Sequence, residues 1–341
     1  MTKISMIGLD LAKNVFQVHG VDACGQVVLR RQLRRGQVER FFAALAPCVV
    51  GMEACGGAHY WARVVQRLGH EVRLMPASYV KPYVKRNKND GRDAEGVCEA
   101  MQRPSMRFVP VKSEEQQGVL AVHRTRALLI RQRTMTGNAV RAGLCEFGIV
   151  AAQGLKGLRQ LMSAVAAGDC AIPETARAAL SVLAGQWESL DRAIGKLERE
   201  IVRSVRAEAA ARRLLEVPGV GPIGASAVLA KVADPHVFRS ARDFAAWVGL
   251  TPRQFGTGGK QRSGGISKKG DRTIRTLLVL GAASYLRQEI ARGVKDPWLR
   301  ELLARRPFRV AAVALAAKTA RIIWAMLVAG ERYRVPVAIA A

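Results

Sequence analysis

Residues 4–22 read ISMIGLDLAKNVFQVHGVD. Apolar runs broken by small or polar residues predict a strand at Ile4–Leu9, a second at Val15–Gly20 and a third near Gln26–Leu29. Working outward, VERFFAALAP follows at 38–47. There Val38, Phe41, Phe42 and Leu45 fall on one helical face, and Pro47 ends the helix. CVVGMEA at 48–54 reads as a short buried strand. HYWARVVQRL at 59–68 repeats the helical spacing through Trp61, Val64, Val65 and Leu68, and EVRLMP at 71–76 is another short strand. The order β-β-β-α-β-α-β predicts a mixed sheet with helices packed on its faces, an α/β unit.

The acidic residues of this unit sit at element ends. Asp10 closes the first strand and Glu53 the fourth. Asp90 and Asp93, in NKNDGRDAEG at 87–96, open a helix after the last strand, where an i, i+3 spacing puts both on one face. Strand ends of a small sheet converge on one edge, so four carboxylates can meet there. Packed carboxylates repel one another, and a divalent cation relieves that repulsion; hard oxygen ligands suit Mg²⁺ or Mn²⁺. The surround is basic, with Lys85, Arg86, Lys88 and Arg92. Cations there would hold a phosphate backbone while metals act at the scissile phosphate. Taken singly, each acid also reads as a surface or capping residue, most readily Asp90 and Asp93 at a helix N-terminus.

The chain has 341 residues and 49% hydrophobic content, enough for two or three domains with sizeable cores. Lys and Arg number 54 against 27 Asp and Glu, a net charge of +27. That balance points to a polyanionic partner, nucleic acid above all. An anionic membrane fits less well, because the cations spread along the whole chain. The six cysteines show no CxxC and no metal spacing, and read as reduced, mostly buried thiols of a cytoplasmic protein. The N-terminus turns acidic too early for a signal peptide. The long apolar stretch 308–329 carries Arg309, Lys318 and Arg321, as a buried or DNA-facing helix would and a membrane span rarely does.

From about Ser113 the strand signal stops. SEEQ reads as a capping box leading into a long basic helical region. Leu183, Trp187, Leu190, Ile194, Leu197 and Ile201 then repeat at coiled-coil spacing. Two readings stay open there, a helix in a local bundle and a coiled coil that dimerises the chain. Near Arg212 a third region begins. In LLEVPGVGPIGASAVLAKV, 214–232, two helices flank Pro-Gly-Val-Gly-Pro. Gly219 and Gly221 there suit either a helix-hairpin-helix that grips phosphate or an ordinary helical hairpin. A glycine-rich basic loop is expected at Gly256–Gly270, where Arg253, Lys260, Arg262, Lys268, Lys269 and Arg272 cluster around hydroxyls at Thr257, Ser263 and Ser267. Such a loop either supplies a hydroxyl nucleophile or only binds phosphate.

These motifs in order resemble the DEDD-type insertion-sequence transposases, the IS one-ten family and its IS eleven-eleven group, described as RNA-guided recombinases. The resemblance covers nearly the whole chain. IGLDLAK, GMEACGGAHYWA and KNDGRDAE look like the N-terminal RuvC-like, RNase H-fold domain. LLEVPGVGPIGASAVLA, FAAWVGLTPRQ and GGISKKGDRTIRTLL look like the C-terminal transposase domain. The resemblance implies a RuvC-like domain at 1–110, a helical or coiled-coil region at 111–208 and a mainly α transposase domain with a helix-hairpin-helix-like motif at 209–341. It implies that Asp10, Glu53, Asp90 and Asp93 bind the metal. It also implies a hydroxyl nucleophile at Thr257, where the family usually has a serine, with Ser263 as the nearest substitute. The implied partners are donor and target DNA, a structured noncoding guide RNA and further copies of the chain, as a dimer or tetramer. The composite site would then take carboxylates from one subunit and the hydroxyl from another. The competing classes are a RuvC-like junction resolvase or nuclease that uses metal-bound water, needing the acids and no hydroxyl, and a non-enzymatic nucleic-acid-binding protein, needing neither.

Overall fold

The structure is a computed structural model that describes residues 3–84, 90–169 and 171–334; the side chain of Asp90 lies outside the described residues. Two compact units divide between Glu114 and Glu115.

The first unit holds β1 (Met6–Asp10), β2 (Val15–Val21), β3 (Val27–Arg34), α1 (Val38–Ala43), β4 (Val49–Glu53), α2 (Ala58–Arg67), β5 (Glu71–Met75), α3 (Ala77–Val80) and α4 (Asp90–Met101). Its sheet has the order β3-β2-β1-β4-β5. The first three strands pair antiparallel as two hairpins, and β4 and β5 run parallel to β1. The order of elements matches the sequence expectation, but β3 runs well beyond Leu29 because LRRQLR continues the pairing with β2.

Strand alternation sorts the side chains onto two layers. Ile7, Leu9, Val50 and Met52 share one core with Phe42, Trp61 and Val65 of α1 and α2. The other face is covered by α4, whose Val97 and Met101 pack with Met75 and Val21. That packing is very close at one place. A Cβ on Gly8 would collide with the carbonyl oxygen of Ala94 and lie 2.7 Å from the backbone nitrogen of Cys98. Only glycine lets α4 lie against β1 there.

The second unit holds α5 (Glu114–Cys145), α6 (Leu155–Ala167), α7 (Glu174–Ala207), α8 (Ala209–Leu214), α9 (Pro222–Lys231), α10 (Ala241–Val248), β6 (Pro252–Thr257), β7 (Lys260–Ile266), α11 (Arg272–Arg292), α12 (Pro297–Arg305) and α13 (Phe308–Ala329). The helices α5 and α7 lie antiparallel. Arg126 pairs with Glu198 at 2.6 Å, Arg133 with Asp191, and Gly137 faces Trp187. Every step forward on α5 is thus a step back on α7. On the heptad seam Trp187, Ile194 and Ile201 are buried within the chain, while Leu183, Leu190 and Leu197 are only half-buried. His123 joins α5 to α9 through a 3.0 Å contact with the Ser226 hydroxyl.

The C-terminal core gathers Phe244, Val248, Leu278, Ala282, Leu286, Leu299, Ala316, Ala320 and Ile323 from α10 to α13. By length and composition α13 is the one described helix that could cross a membrane. Its Ala311, Ala312, Ala316, Ala320 and Ile323 are buried in this core. Among the described residues five cysteines are free thiols; Cys48 and Cys98 are buried, but Cys24, Cys55 and Cys145 are exposed, so these thiols are not mostly buried as expected.

Candidate active site

Asp10 and Glu53 are the last residues of neighbouring parallel strands, one step beyond the Leu9–Met52 pair. Because Ile7, Leu9, Val50 and Met52 point to the α1–α2 layer, the alternation turns Asp10 and Glu53 to the α4 side. Asp93 stands immediately before Ala94, the residue whose carbonyl rests on Gly8. The first turn of α4 therefore arrives at the edge where β1 and β4 end. A helix N-terminus carries partial positive charge, which favours acids there.

The electrostatics agree with this placement. Partial burial pushes the Glu53 carboxyl above its ordinary value, and the negative charge of Asp93 adds to the shift. The Cys55 thiol is also raised, first by burial, then by the charges of Glu53 and Asp10. Three of the four expected acids thus share one neighbourhood. Among the described residues no three His, Cys, Asp or Glu side chains stand close enough to hold a metal ion. Asp90 begins α4, but its side chain lies outside the described residues, as do Lys85, Arg86 and Lys88. Arg92 is exposed on the first turn of α4. The place of Cys55 beside these acids is not legible in the sequence, because a lone thiol carries no spacing signal.

The expected glycine-rich loop at 256–270 is instead, in large part, an antiparallel hairpin. β6 and β7 pair Gln254 with Ser263, Phe255 with Arg262, Gly256 with Gln261 and Thr257 with Lys260. Gly258 and Gly259 form the turn with φ of +56° and +75°. Positive φ at both central residues is what a type I′ two-residue hairpin turn requires. Hence the strand signal does not stop at Ser113. Residues directly opposite one another share a face, so Thr257 lies with Lys260, Arg262 and Phe255, and Ser263 lies on the other face with Gln254. The pairing slips between Pro252 and Gln254, yet Arg253 stays on the Thr257 face: a Cβ on Gly264 would lie 3.0 Å from the Phe255 ring and 3.9 Å from the Arg253 Cβ. All of these side chains are exposed.

After the hairpin the chain packs tightly under α10. A Cβ on Gly270 would collide with the Trp247 carbonyl, and one on Gly249 with that of Lys269. This bend puts Lys268 at φ +55°, the one non-glycine residue with positive φ among those described. Asp271, the only acid in the sequence between Arg253 and Arg275, caps α11 by accepting from the Ile274 N–H at 2.8 Å, and pairs with Lys231 at 2.6 Å. Lys268, Lys269 and Arg272 stay exposed.

Pro-Gly-Val-Gly-Pro joins α8 to α9. Gly219, at φ +83°, is in backbone contact with Gly281 of α11: a Cβ on Gly219 would lie 2.9 Å from the Gly281 oxygen. Gly221 is different. A Cβ on it would meet nothing within 4 Å, and it precedes the first turn of α9.

Two family comparisons match this architecture. Residues 7–148 match a family described as a transposase, of the DEDD IS110 type, and residues 211–302 match the family described as "Transposase IS116/IS110/IS902 family". A "Probable family 20 transposase" of Pseudomonas aeruginosa is 52% identical over 97% of this chain and 99% of its own length. The chain belongs to the IS110-type family of insertion-sequence transposases. The transposase for insertion sequence element IS1328 of Yersinia enterocolitica is 41% identical over 97% of this chain and 98% of its own. That for IS1111A of Coxiella burnetii is 40% identical over 98% and 92%. The transposase is therefore an enzyme of DNA recombination, and DNA is its substrate. The first matched segment includes Asp10, Glu53 and Asp93, and the second includes the hairpin.

Proposed function

We propose that the transposase cuts and rejoins DNA strands using Asp10, Glu53, Asp90 and Asp93 as a divalent-cation site and the Thr257 hydroxyl as nucleophile. The observation that carries the reading is geometric: Asp10 and Glu53 end neighbouring parallel strands, and the close contact of Ala94 with Gly8 brings the first turn of α4, with Asp93, to the same edge. Carboxylates held together against their own repulsion fit a hard cation, and an all-oxygen donor set suits Mg²⁺ or Mn²⁺. A divalent cation held by these carboxylates would supply positive charge to offset that of the phosphate. The sheet order β3-β2-β1-β4-β5 supports reading the first unit as RNase H-like, of RuvC type.

In this reading Thr257 Oγ1 attacks the scissile phosphorus. A phosphorus–oxygen bond to threonine forms as the bond to the neighbouring deoxyribose breaks. The hydroxyl proton is lost to solvent, and the departing oxygen takes one up. Lys260 and Arg262, on the same face, meet the charge that builds on the phosphoryl oxygens. Arg253, Lys268, Lys269 and Arg272 hold the flanking backbone, and the α9 start after Gly221 offers N–H groups to a phosphate as a helix-hairpin-helix does. The resemblance to RNA-guided recombinases adds a structured guide RNA. The net charge of +27 suits these nucleic-acid partners. The enzyme then acts as a dimer or tetramer, with half-buried Leu183, Leu190 and Leu197 offered to a second copy.

The test is strand cleavage by Asp10→Asn and Asp93→Asn beside nucleic-acid binding over a salt series. Cleavage is expected to vanish while binding and its steep salt dependence persist, because affinity comes from the cations. Full cleavage by both variants would refute the carboxylate site. Sequencing the RNA that copurifies with the protein tests the guide.

A further inference from the structure

The hairpin carries one side chain that the proposed chemistry does not use. Phe255 is 57% exposed and belongs to none of the apolar cores among the described residues. Its ring leans over Gly264: a Cβ there would stand 3.0 Å from its Cε2. Glycine at 264 thus gives the ring a backbone shelf and leaves much of the ring in solvent. The same face holds Arg253, Thr257, Lys260 and Arg262, and there is no Asp or Glu between Pro252 and Ile266. Two residues along a strand put Phe255 and Thr257 roughly 7 Å apart.

An exposed ring ringed by cations has the chemistry of a strand-binding platform. Cations take the phosphates, and an aromatic face takes a base, whatever its identity. A duplex hides its base faces by stacking, so the ring suits a base that is unpaired. We infer that Phe255 stacks on an unpaired nucleobase of the DNA strand whose phosphate meets Thr257. This rests on the reading that Thr257 faces the DNA backbone. The stack would hold the strand in register with the hydroxyl, which makes Phe255 a positioning residue.

Binding is measured with the full chain carrying Thr257→Val, so that no chemistry intervenes. The probes are a single-stranded oligodeoxynucleotide with 2-aminopurine for adenine, its abasic counterpart and a duplex of equal length. Adding Phe255→Leu is expected to weaken single-strand binding about tenfold, within the range of one base–aromatic stack, and duplex binding by less than about twofold. Phe255→Trp should bind as the parent does. The parent and the Trp variant should quench 2-aminopurine fluorescence, and the Leu variant should not. Unchanged single-strand affinity, equal loss on both nucleic acids, or a lowered thermal midpoint for Phe255→Leu would each overturn the inference, the last by making the ring a structural prop. The Thr257 reading fails separately, in an assay for the covalent adduct, because none of these binding measurements needs the hydroxyl.

Discussion

Gly8 of β1 lies in backbone contact with Ala94 of α4, with no room for a side chain between them. Through this contact the sheet sets how near Asp93 comes to Asp10 and Glu53. Gly8→Ala must push α4 off the strand. The expected cost is about 1–3 kcal/mol of stability from overpacking, together with a loss of strand cleavage larger than the fraction unfolded explains. Thermal denaturation and cleavage assays on the same preparation check both. Cleavage that falls only in step with folding would mean the spacing does not matter.

Glu53 supplies a prediction about pH. Its carboxyl is raised by burial and by Asp93, so the folded chain holds that proton more tightly than the unfolded chain. The stability this gives is present below the ordinary carboxylate value and is lost as pH rises through the folded one. Without divalent cation, Glu53→Gln should raise the melting temperature by about 2 °C at pH 8 and have almost no effect at pH 4. Adding Mg²⁺ should stabilise the parent at pH 8, because binding favours the folded state, and should leave the variant unmoved. Melting curves at both pH values with Mg²⁺ or a chelator decide it. A variant less stable than the parent at pH 8 without metal would contradict the argument.

The two glycines of the α8–α9 turn separate packing from nucleic-acid contact. Gly281→Ala collides with the Gly219 carbonyl, so it should cost about 1–3 kcal/mol. Gly221→Ala meets nothing and keeps an ordinary extended φ of −93°, so stability should change by less than about 0.5 kcal/mol. If the α9 N-terminus grips phosphate, Gly221→Ala should still weaken DNA binding several-fold, since the new methyl keeps the backbone from the phosphate. Chemical denaturation and a filter-binding titration measure the two effects. Undiminished affinity for Gly221→Ala would leave an ordinary helical hairpin.

Where the sequence was legible, local pattern and tertiary partner agreed. Ile7, Leu9, Val50 and Met52 alternate because one sheet face is buried, and that alternation alone orients Asp10 and Glu53. The hairpin was hidden because its strands, PRQFGT and KQRSGGI, bury almost nothing and so show no apolar rhythm. Its one local signal was Thr257-Gly258-Gly259-Lys260, two glycines fit for a tight turn, and glycine elsewhere in the segment masked it. The seam of α7 announced a buried stripe but not its partner. That choice is made by Arg126 with Glu198 and Arg133 with Asp191, pairs far apart in sequence. Lys268 gave no sign at all, since its backbone is forced by Gly249 and Gly270 fitting under α10.

The hairpin register turns the choice between two hydroxyls into a measurable one. Thr257 sits opposite Lys260 and shares its face with Arg262, whereas Ser263 sits opposite Gln254 on the other face. A phosphate held by the two cations can therefore reach Thr257 and not Ser263, unless the hairpin turns over. Thr257→Val keeps the branched shape and removes only the oxygen, so recombination should fall by at least about a hundredfold with stability unchanged. Ser263→Ala should retain activity within about twofold. Thr257→Ser should retain it as well, since the less hindered hydroxyl occupies the same place. The decisive measurement is protein–DNA adduct on a denaturing gel, followed by mass spectrometry of the linked peptide. Adduct on the peptide bearing Thr257, absent from Thr257→Val, supports the assignment. Adduct that survives Thr257→Val and disappears with Ser263→Ala would place the reacting face on the other side of the hairpin. Full recombination by the double variant would leave the carboxylates acting with water as the nucleophile.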